Sequence, residues 1–427
     1  MIFVLKLDRQ VAKLALILPV VLAGGLLVGL IRTHFIIRQM SDIRFVFAPE
    51  AYAAVDASVP QSARLNLGLA RSLLREGRDF AGALLHAERA VRLSPHNDAG
   101  WQVLAQIQDV LGPPAAAEMA WQRAVELAPH NSDASWALAN ALLRNDKVED
   151  ALPYFAKACE LNETLYPLAF ELLWQVNGQQ LESLQRVAGT THKAQMSLVQ
   201  FLAEQDQFDS AATLFKTLDR RKLALDPLAP QFVQTLIARK QFSLARAAWL
   251  DLIEGVPAAD GNLIWNGDFE MPPVAKLLSQ FDWQLGESKF ARFGIEAGRG
   301  RNGSKALKAV FLGRDTTQLN GEVFQLLALK PGVQYRLEAY AKTEKLVTPE
   351  EGLRLAVYSG STQLGASTLL AQGSNDWQRL AIEFTAPTTL DRTIVTLVRL
   401  PKYAYDDPTS GEVWFDDFSL RMLGVEK

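Results

Sequence analysis

The chain superimposes on itself at an offset of 34 residues: Ala83, Ala117 and Ala151 coincide, as do Ala90, Ala124 and Ala158, and Leu93, Leu127 and Leu161. A fixed period of this size marks an array of equal supersecondary units stacked in line, and excludes a single-cored globule for that stretch. The same offset lays RLSPHN at 92–97 over ELAPHN at 126–131 and Trp121 over Phe155. Farther on, Phe208, Ala211 and Phe215 recur as Phe242, Ala245 and Trp249. From Ala151 to Ala211 the interval is 60, one full period plus a shortened one near 164–190. Six helix pairs, the fourth shortened, therefore fill residues 60–256.

Small residues where helices cross and a proline after the second helix make this segment resemble the tetratricopeptide repeat family. The pattern has its own physical cause. A short amphipathic helix pair cannot bury its apolar face alone, and alanines at fixed positions let the next pair approach closely enough to bury it jointly. The resemblance implies an all-α solenoid that binds protein segments, with side chains of each first helix lining its inner surface. Asn66, Gln102, Asn140 and Arg144 are the residues expected there, their polar groups pairing with an extended backbone. His96 and His130 recur at turn positions and are expected to satisfy turns; Cys159 is expected as a small buried hydrophobe.

The breaker cluster PAADGN at 257–262 ends the helical texture. Beyond it QYRLEAYAK at 334–342, GLRLAVYSG at 352–360, WQRLAIEFTAP at 377–387 and RTIVTLVRL at 392–400 place apolar residues at alternate positions, the period of half-buried strands. Several such strands in one run predict an antiparallel sandwich over 262–422. Its landmarks, NLIWNGDFE at 262–270, LKPGVQYRLEAYAK at 329–342, NDWQRLAIEFTAP at 375–387 and GEVWFDDFSL at 411–420, resemble the carbohydrate-binding, galactose-binding-like jelly rolls. That resemblance implies weak binding of a polysaccharide and a structural calcium ion between the opening and closing strands, here at Glu270 and Asp416; no other cofactor is expected. Alternation puts Leu337, Leu353, Leu355 and Val357 in the core and turns Tyr340, Tyr358 and Arg399 outward, onto one sheet face, with Tyr403 and Tyr405 in an edge loop. The resemblance implies that Trp283 and Trp377 pack the core. In WFDDFSL, Asp416 shares a parity with Phe418 and Leu420 and is expected to point inward.

Ahead of the repeats, LALILPVVLAGGLLVGLI at 14–31 carries no charge over eighteen residues, a length that nearly spans a bilayer core. Residues 1–45 are therefore expected to be a cytoplasmic tail and an uncleaved anchor, its span about 12–31, and 45–427 to lie in the periplasm of a bacterial inner membrane. Basic residues flank the span on both sides, so charge bias does not orient it. The net charge of −3, from 44 Lys and Arg against 47 Asp and Glu, is too even for a nucleic-acid footprint. One cysteine excludes an intramolecular disulfide. With no glycine-rich phosphate loop, His-rich metal motif or serine elbow in the sequence, the expectation is a non-catalytic chain.

The expected whole is multidomain: an N-terminal transmembrane helix, an all-α tetratricopeptide-like solenoid and an all-β jelly-roll sandwich. Its expected task is that of a scaffold in envelope or exopolysaccharide assembly or export, with an unidentified protein and a glycan as partners. The competing expectation is a purely structural scaffold whose sandwich caps the solenoid and binds no sugar.

Overall fold

The computed structural model describes residues 9–40, 62–253, 261–349, 352–401 and 407–424. Helix α1 (Arg9–Met40) contains the apolar run 14–31. Among the described residues no helix is long and apolar enough to cross a membrane.

The repeats begin with α2 (Ala63–Glu76) and α3 (Phe80–Leu93), continue through α4 (Asp98–Leu111), α5 (Pro114–Leu127), α6 (Ser132–Arg144) and α7 (Val148–Leu161), and reach α8 (Tyr166–Val176) and α9 (Leu181–Ala188). The starts follow from sequence: Ser62, Asp79 and Asn131 each accept a hydrogen bond from a backbone N–H of the first turn. Pro114 opens α5, where its missing donor costs nothing. The repeat alanines Ala83, Ala117, Ala151, Ala90, Ala124 and Ala158 are all buried, with Trp121 and Phe155 beside them, which is the close helix approach that the period requires. Leu93 and Leu161 stay exposed at helix ends. The shortened unit near 164–190 is α8 and α9, the latter eight residues long and stopped at Gly189.

Residues 190–427 form a second compact unit. Among its described residues it holds α10 (His192–Glu204), α11 (Phe208–Thr217), a one-turn helix α12 (Arg220–Leu223) that the period does not foretell, α13 (Leu228–Ala238) and α14 (Phe242–Leu252), followed by ten strands. The strands are β1 (Gln284–Leu285), β2 (Ala291–Ala297), β3 (Lys305–Leu312), β4 (Leu319–Leu326), β5 (Gln334–Val347), β6 (Arg354–Ser359), β7 (Thr362–Ala366), β8 (Gly373–Thr385), β9 (Thr393–Arg399) and β10 (Ser410–Met422). They make two antiparallel five-stranded sheets, ordered β1-β4-β9-β6-β7 and β2-β3-β10-β5-β8. Their inner faces meet in one core that includes Val323, Leu355, Val357, Val395 and Leu397 from the first sheet and Leu307, Phe311, Tyr335, Leu337 and Ile382 from the second. Trp283 packs against that core between Phe269 and Phe418.

The last helix joins the sandwich through aromatic rings. Trp249 of α14 is fully buried, edge to face with Trp265 at 4.9 Å and 5.6 Å from Phe281, and its indole N–H donates to the Leu278 carbonyl. Gln325 of β4 holds Trp265 in place, accepting its N–H at 2.9 Å and donating to its carbonyl at 2.8 Å. At the rim, Ser243 donates to the Leu329 carbonyl and Lys240 pairs with Asp391.

Candidate functional sites

On the repeats, the four expected groove residues divide. Asn66 is fully buried, donating to the Ser62 carbonyl at 2.9 Å and paired through Oδ1 with the ring Nδ1 of His86 at 2.9 Å. It ties α2 to α3, so its place in a groove is corrected to the interior. Gln102 and Asn140 are half-buried and bond one turn back, to the Asp98 carboxylate at 3.1 Å and the Trp136 carbonyl at 2.8 Å. Arg144 pairs with Asp109, whose other oxygen accepts the Trp121 indole N–H at 2.9 Å, linking α6, α4 and α5. Sequence reasoning missed three neighbours that the 34-residue offset marks: Gln106 aligns with Asn140, Trp136 with Gln102, and Asp109 lies one turn past Gln106. Trp136 sits edge to face on Phe155 at 5.0 Å. The arrangement offers amides, a carboxylate, a guanidinium and one indole on successive first helices, a set able to hydrogen-bond a main chain and seat a side chain.

On the sandwich, Tyr340, Tyr358 and Arg399 do not share a face. Tyr340 lies on β5, opposite Asp416 of β10 and Arg379 of β8. The turn between β2 and β3 folds onto that outer face: the Arg301 guanidinium lies 3.6 Å over the Tyr340 ring and pairs with Asp417, and Arg299 lies 5.4 Å from the Trp414 ring. The rest of the face neutralises itself through Lys308 with Glu296 and Glu412, Arg379 with Glu338, Arg336 with Glu383 and Lys342 with Asp376. The Trp414 indole N–H holds the Glu296 carboxyl below its usual range, and Glu412 raises the Lys308 ammonium.

Tyr358 belongs to the other sheet. It is half-buried on the outer face of β6, opposite Ile394 of β9, and its hydroxyl donates to Gln363 at 3.0 Å. Arg399 faces neither surface. It is fully buried on the parity of Val395 and Leu397, donating to the Thr317 carbonyl at 2.6 Å and to Asp407. The outward placement is thus corrected: β9 is apolar on both faces, so alternation does not say which face is the core. Tyr403 and Tyr405 lie outside the described residues.

Glu270 and Asp416 reach one turn from two directions. Glu270 Oε1 accepts the Lys305 N–H at 2.6 Å; Asp416 Oδ2 accepts the Arg301 N–H at 2.8 Å and the Ser304 hydroxyl at 3.3 Å, and Oδ1 accepts the Asp417 N–H at 2.8 Å. A Cβ on Gly300 would fall 2.9 Å from Asp416 Oδ2 and 2.5 Å from the Lys305 carbonyl oxygen, so only glycine leaves this pocket open. Burial pushes the Asp416 carboxyl above its usual range, against the pull of the Arg301 and Asp417 N–H groups. Carboxylate and carbonyl oxygens alone fit a hard cation. Among the described residues no three or more acidic, histidine or cysteine side chains cluster as metal ligands, and the Lys305 ammonium donates to the Glu270 carbonyl at 2.8 Å. The inward placement of Asp416 is corrected as well: a bulge between Asp416 and Ser419 puts it beside Tyr340 on the outer face, while Phe418 and Leu420 face the core.

Residues 104–166 match the tetratricopeptide repeat family. The helix pairs there are tetratricopeptide repeats. No curated protein matches the chain. Among solved structures, MamA is 18% identical, covering 35% of this chain and 86% of its own at a TM-score of 0.31. YrrB, a tetratricopeptide protein with an unusual peptide-binding site, is 17% identical over 48% of this chain and 93% of its own, at 0.28. The CBM22-1 and GH10 modules of Clostridium thermocellum xylanase 10B, complexed with xylohexaose, are 16% identical over 39% of this chain and 29% of their own, at 0.28. None of the three is similar enough to bear on function.

Proposed function

We propose that this protein is a non-catalytic scaffold, anchored to a bacterial inner membrane through residues 14–31, whose tetratricopeptide repeats hold a protein segment while its sandwich meets envelope polysaccharide. The observation that carries the first half is the set of polar side chains on successive first helices, Gln102, Gln106, Asp109 and Asn140, in a segment whose helix pairs otherwise bury alanine and aromatic faces. Amide side chains in such a row can pair with the backbone of an extended segment whatever its sequence, with Trp136 available for one side chain. Envelope or exopolysaccharide assembly is the task that joins an anchor, a protein groove and a glycan-facing module in one chain. Of the two candidate tyrosines among the described residues, Tyr358 is the one left for sugar stacking, because Arg301 already occupies the Tyr340 ring, and Tyr403 and Tyr405 stay candidates beside it. A calcium ion held by Glu270 and Asp416 would supply positive charge to a buried carboxylate and fix the turn that carries Arg301.

Photo-crosslinkers at Gln102 and Gln106 in native membranes test the groove. One discrete adduct at both positions is expected, and a smear of products would remove the specific groove. Titrating the full chain with the organism's own polysaccharide tests the sandwich, with affinity in the millimolar to micromolar range expected from one or two stacking rings, each worth about 1 kcal/mol beyond burial. Tyr358→Ala should abolish it.

A second reading, a structural scaffold whose sandwich caps the solenoid, has its own support in the buried Trp249, Trp265 and Phe281 cluster. Absence of any glycan response, with cross-linking intact, would favour it.

A further inference from the structure

Midway along its helices the second unit carries a basic cluster that neither the groove nor the sandwich uses. Helix α11 stops at Thr217, Leu218 turns extended, and Asp219 caps α12 by accepting the Arg221 N–H at 2.8 Å. The break opens a cleft of about 270 Å³ floored by Phe215, Leu218 and Leu223 and rimmed by Lys216, Arg220 and Asp251. Sites for drug-sized ligands run from about 300 to 1,000 Å³, so this one admits a single side chain. Arg220 pairs with Asp251 at its mouth, the arginine side chain 71% exposed and the aspartate 18%. Lys216, Arg221 and Lys222 have no ion-pair partner among the described residues, and Leu225, just beyond, is 87% exposed.

We propose that this cleft docks an acidic peptide segment of a partner protein, one apolar side chain seated on Phe215, Leu218 and Leu223 and its carboxylates on Lys216, Arg221 and Lys222. Charge decides the occupant's sign, since Asp251 is already neutralised by Arg220, and Lys216, Arg221 and Lys222 outnumber the cluster's one other carboxylate, Asp219. Shape decides its kind. An anionic bilayer is recognised by clusters of about four to eight basic residues, more than the three free here, and a lipid surface does not fill a single-side-chain cleft. A peptide with one apolar anchor and acidic flanks satisfies both features: desolvated anchors carry most of an interface's energy, and rim charges steer the encounter. The Arg220–Asp251 pair is the latch, because an incoming carboxylate competes with Asp251 for the guanidinium. These residues are distinct from Gln102, Gln106 and Asn140, so the surface is a second protein site whose failure leaves the groove untouched.

The test is fluorescence anisotropy of the full chain with a labelled acidic peptide carrying one central phenylalanine, and with its lysine-for-glutamate counterpart. The acidic peptide alone should bind, and several-fold more weakly as salt rises from about 50 to about 300 mM. Arg221→Glu combined with Lys222→Glu should weaken it by about tenfold, two attractive pairs having become repulsive. Asp251→Asn should tighten it a few-fold by releasing Arg220, circular dichroism confirming that each variant keeps its helices. No binding, equal binding of the lysine peptide, indifference to the double reversal, or preference for vesicles of phosphatidylcholine and phosphatidylglycerol over the peptide would each overturn the proposal.

Discussion

Replacing Trp249 with alanine tests whether the last repeat helices and the sandwich fold as one body. The indole is fully buried, touches Trp265 and Phe281, and donates to the Leu278 carbonyl. Truncating a buried tryptophan costs about 3–5 kcal/mol, including about 0.5–1.5 kcal/mol for each aromatic pair. Leaving the Leu278 carbonyl without its donor adds about 1 kcal/mol. Against a total stability of about 5–15 kcal/mol this is a large share. In a unit of this size each kcal/mol moves the melting midpoint by about 2–4 °C, so Trp249→Ala, at about 4–6 kcal/mol, should lower it by roughly 8–24 °C. Trp249→Phe keeps a ring on Trp265 but loses the donor, and should cost about 1–3 kcal/mol. Calorimetry of the full chain follows both variants. In the wild type, residues 190–427 should melt in one transition; in Trp249→Ala the sandwich should separate from the helices. A midpoint within about 2 °C of wild type, or a single undivided transition, would refute the view that this ring cluster joins them.

Three further outcomes are expected. Adding calcium should raise the sandwich's melting temperature and a chelator should lower it, whereas Glu270→Gln should make both treatments ineffective; an unchanged midpoint in the wild type removes the cation. Because burial raises the Asp416 carboxyl above its usual range, the folded state holds that proton more tightly than the unfolded state, so its contribution to stability is present at low pH and declines as pH rises above about 4; denaturant melts of metal-free wild type and Asp416→Asn should therefore diverge with rising pH, and parallel curves count against it. Cys159, buried with its thiol pushed up to about 12, should resist alkylation at pH near 8 until denaturant is added, and native labelling at the rate of a free thiol would contradict that burial.

The helical half was legible because one physical requirement repeats. Each pair must bury the same face against the next, so alanine and aromatic positions recur at a fixed offset and lie buried where the offset puts them, from Ala83 to Trp249. Side-chain roles within a repeat were less legible. Asn66 and Asn140 are both amides on first helices, yet only Asn66 meets a histidine on the paired helix, and that partner, His86, lies twenty residues away with no counterpart at the offset. The one-turn helix α12 sits inside a period that the flanking helices keep, from Phe208 to Phe242; it forms for a local reason, the Asp219 cap, and carries the basic cluster with it.

Strands β5, β6, β8 and β9 of the sandwich were legible, but its faces were not, and the misplacements have three separate causes. Sequence-adjacent β5 and β6 pair into different sheets, so equal parity placed Tyr340 and Tyr358 on opposite sides of the domain. Strand β9 is buried on both faces, which erases the alternation that would have turned Arg399 inward. In β10 the bulge after Asp416, with Asp417 at a φ of 51°, inserts residues that flip parity between Trp414 and Phe418. The bulge also does chemical work. It frees the Asp417 carboxylate to pair with Arg301 while the Asp417 N–H bonds to Asp416, so one irregularity in the closing strand fixes the turn that covers Tyr340. Whether that platform accepts a sugar therefore depends on Arg301. Arg301→Ala should uncover the Tyr340 ring while leaving its backbone bond to Asp416 in place. Polysaccharide affinity that rises in Arg301→Ala, and falls again when Tyr340→Ala is added, would make the arginine a lid over a second stacking ring; unchanged affinity would make it a strut.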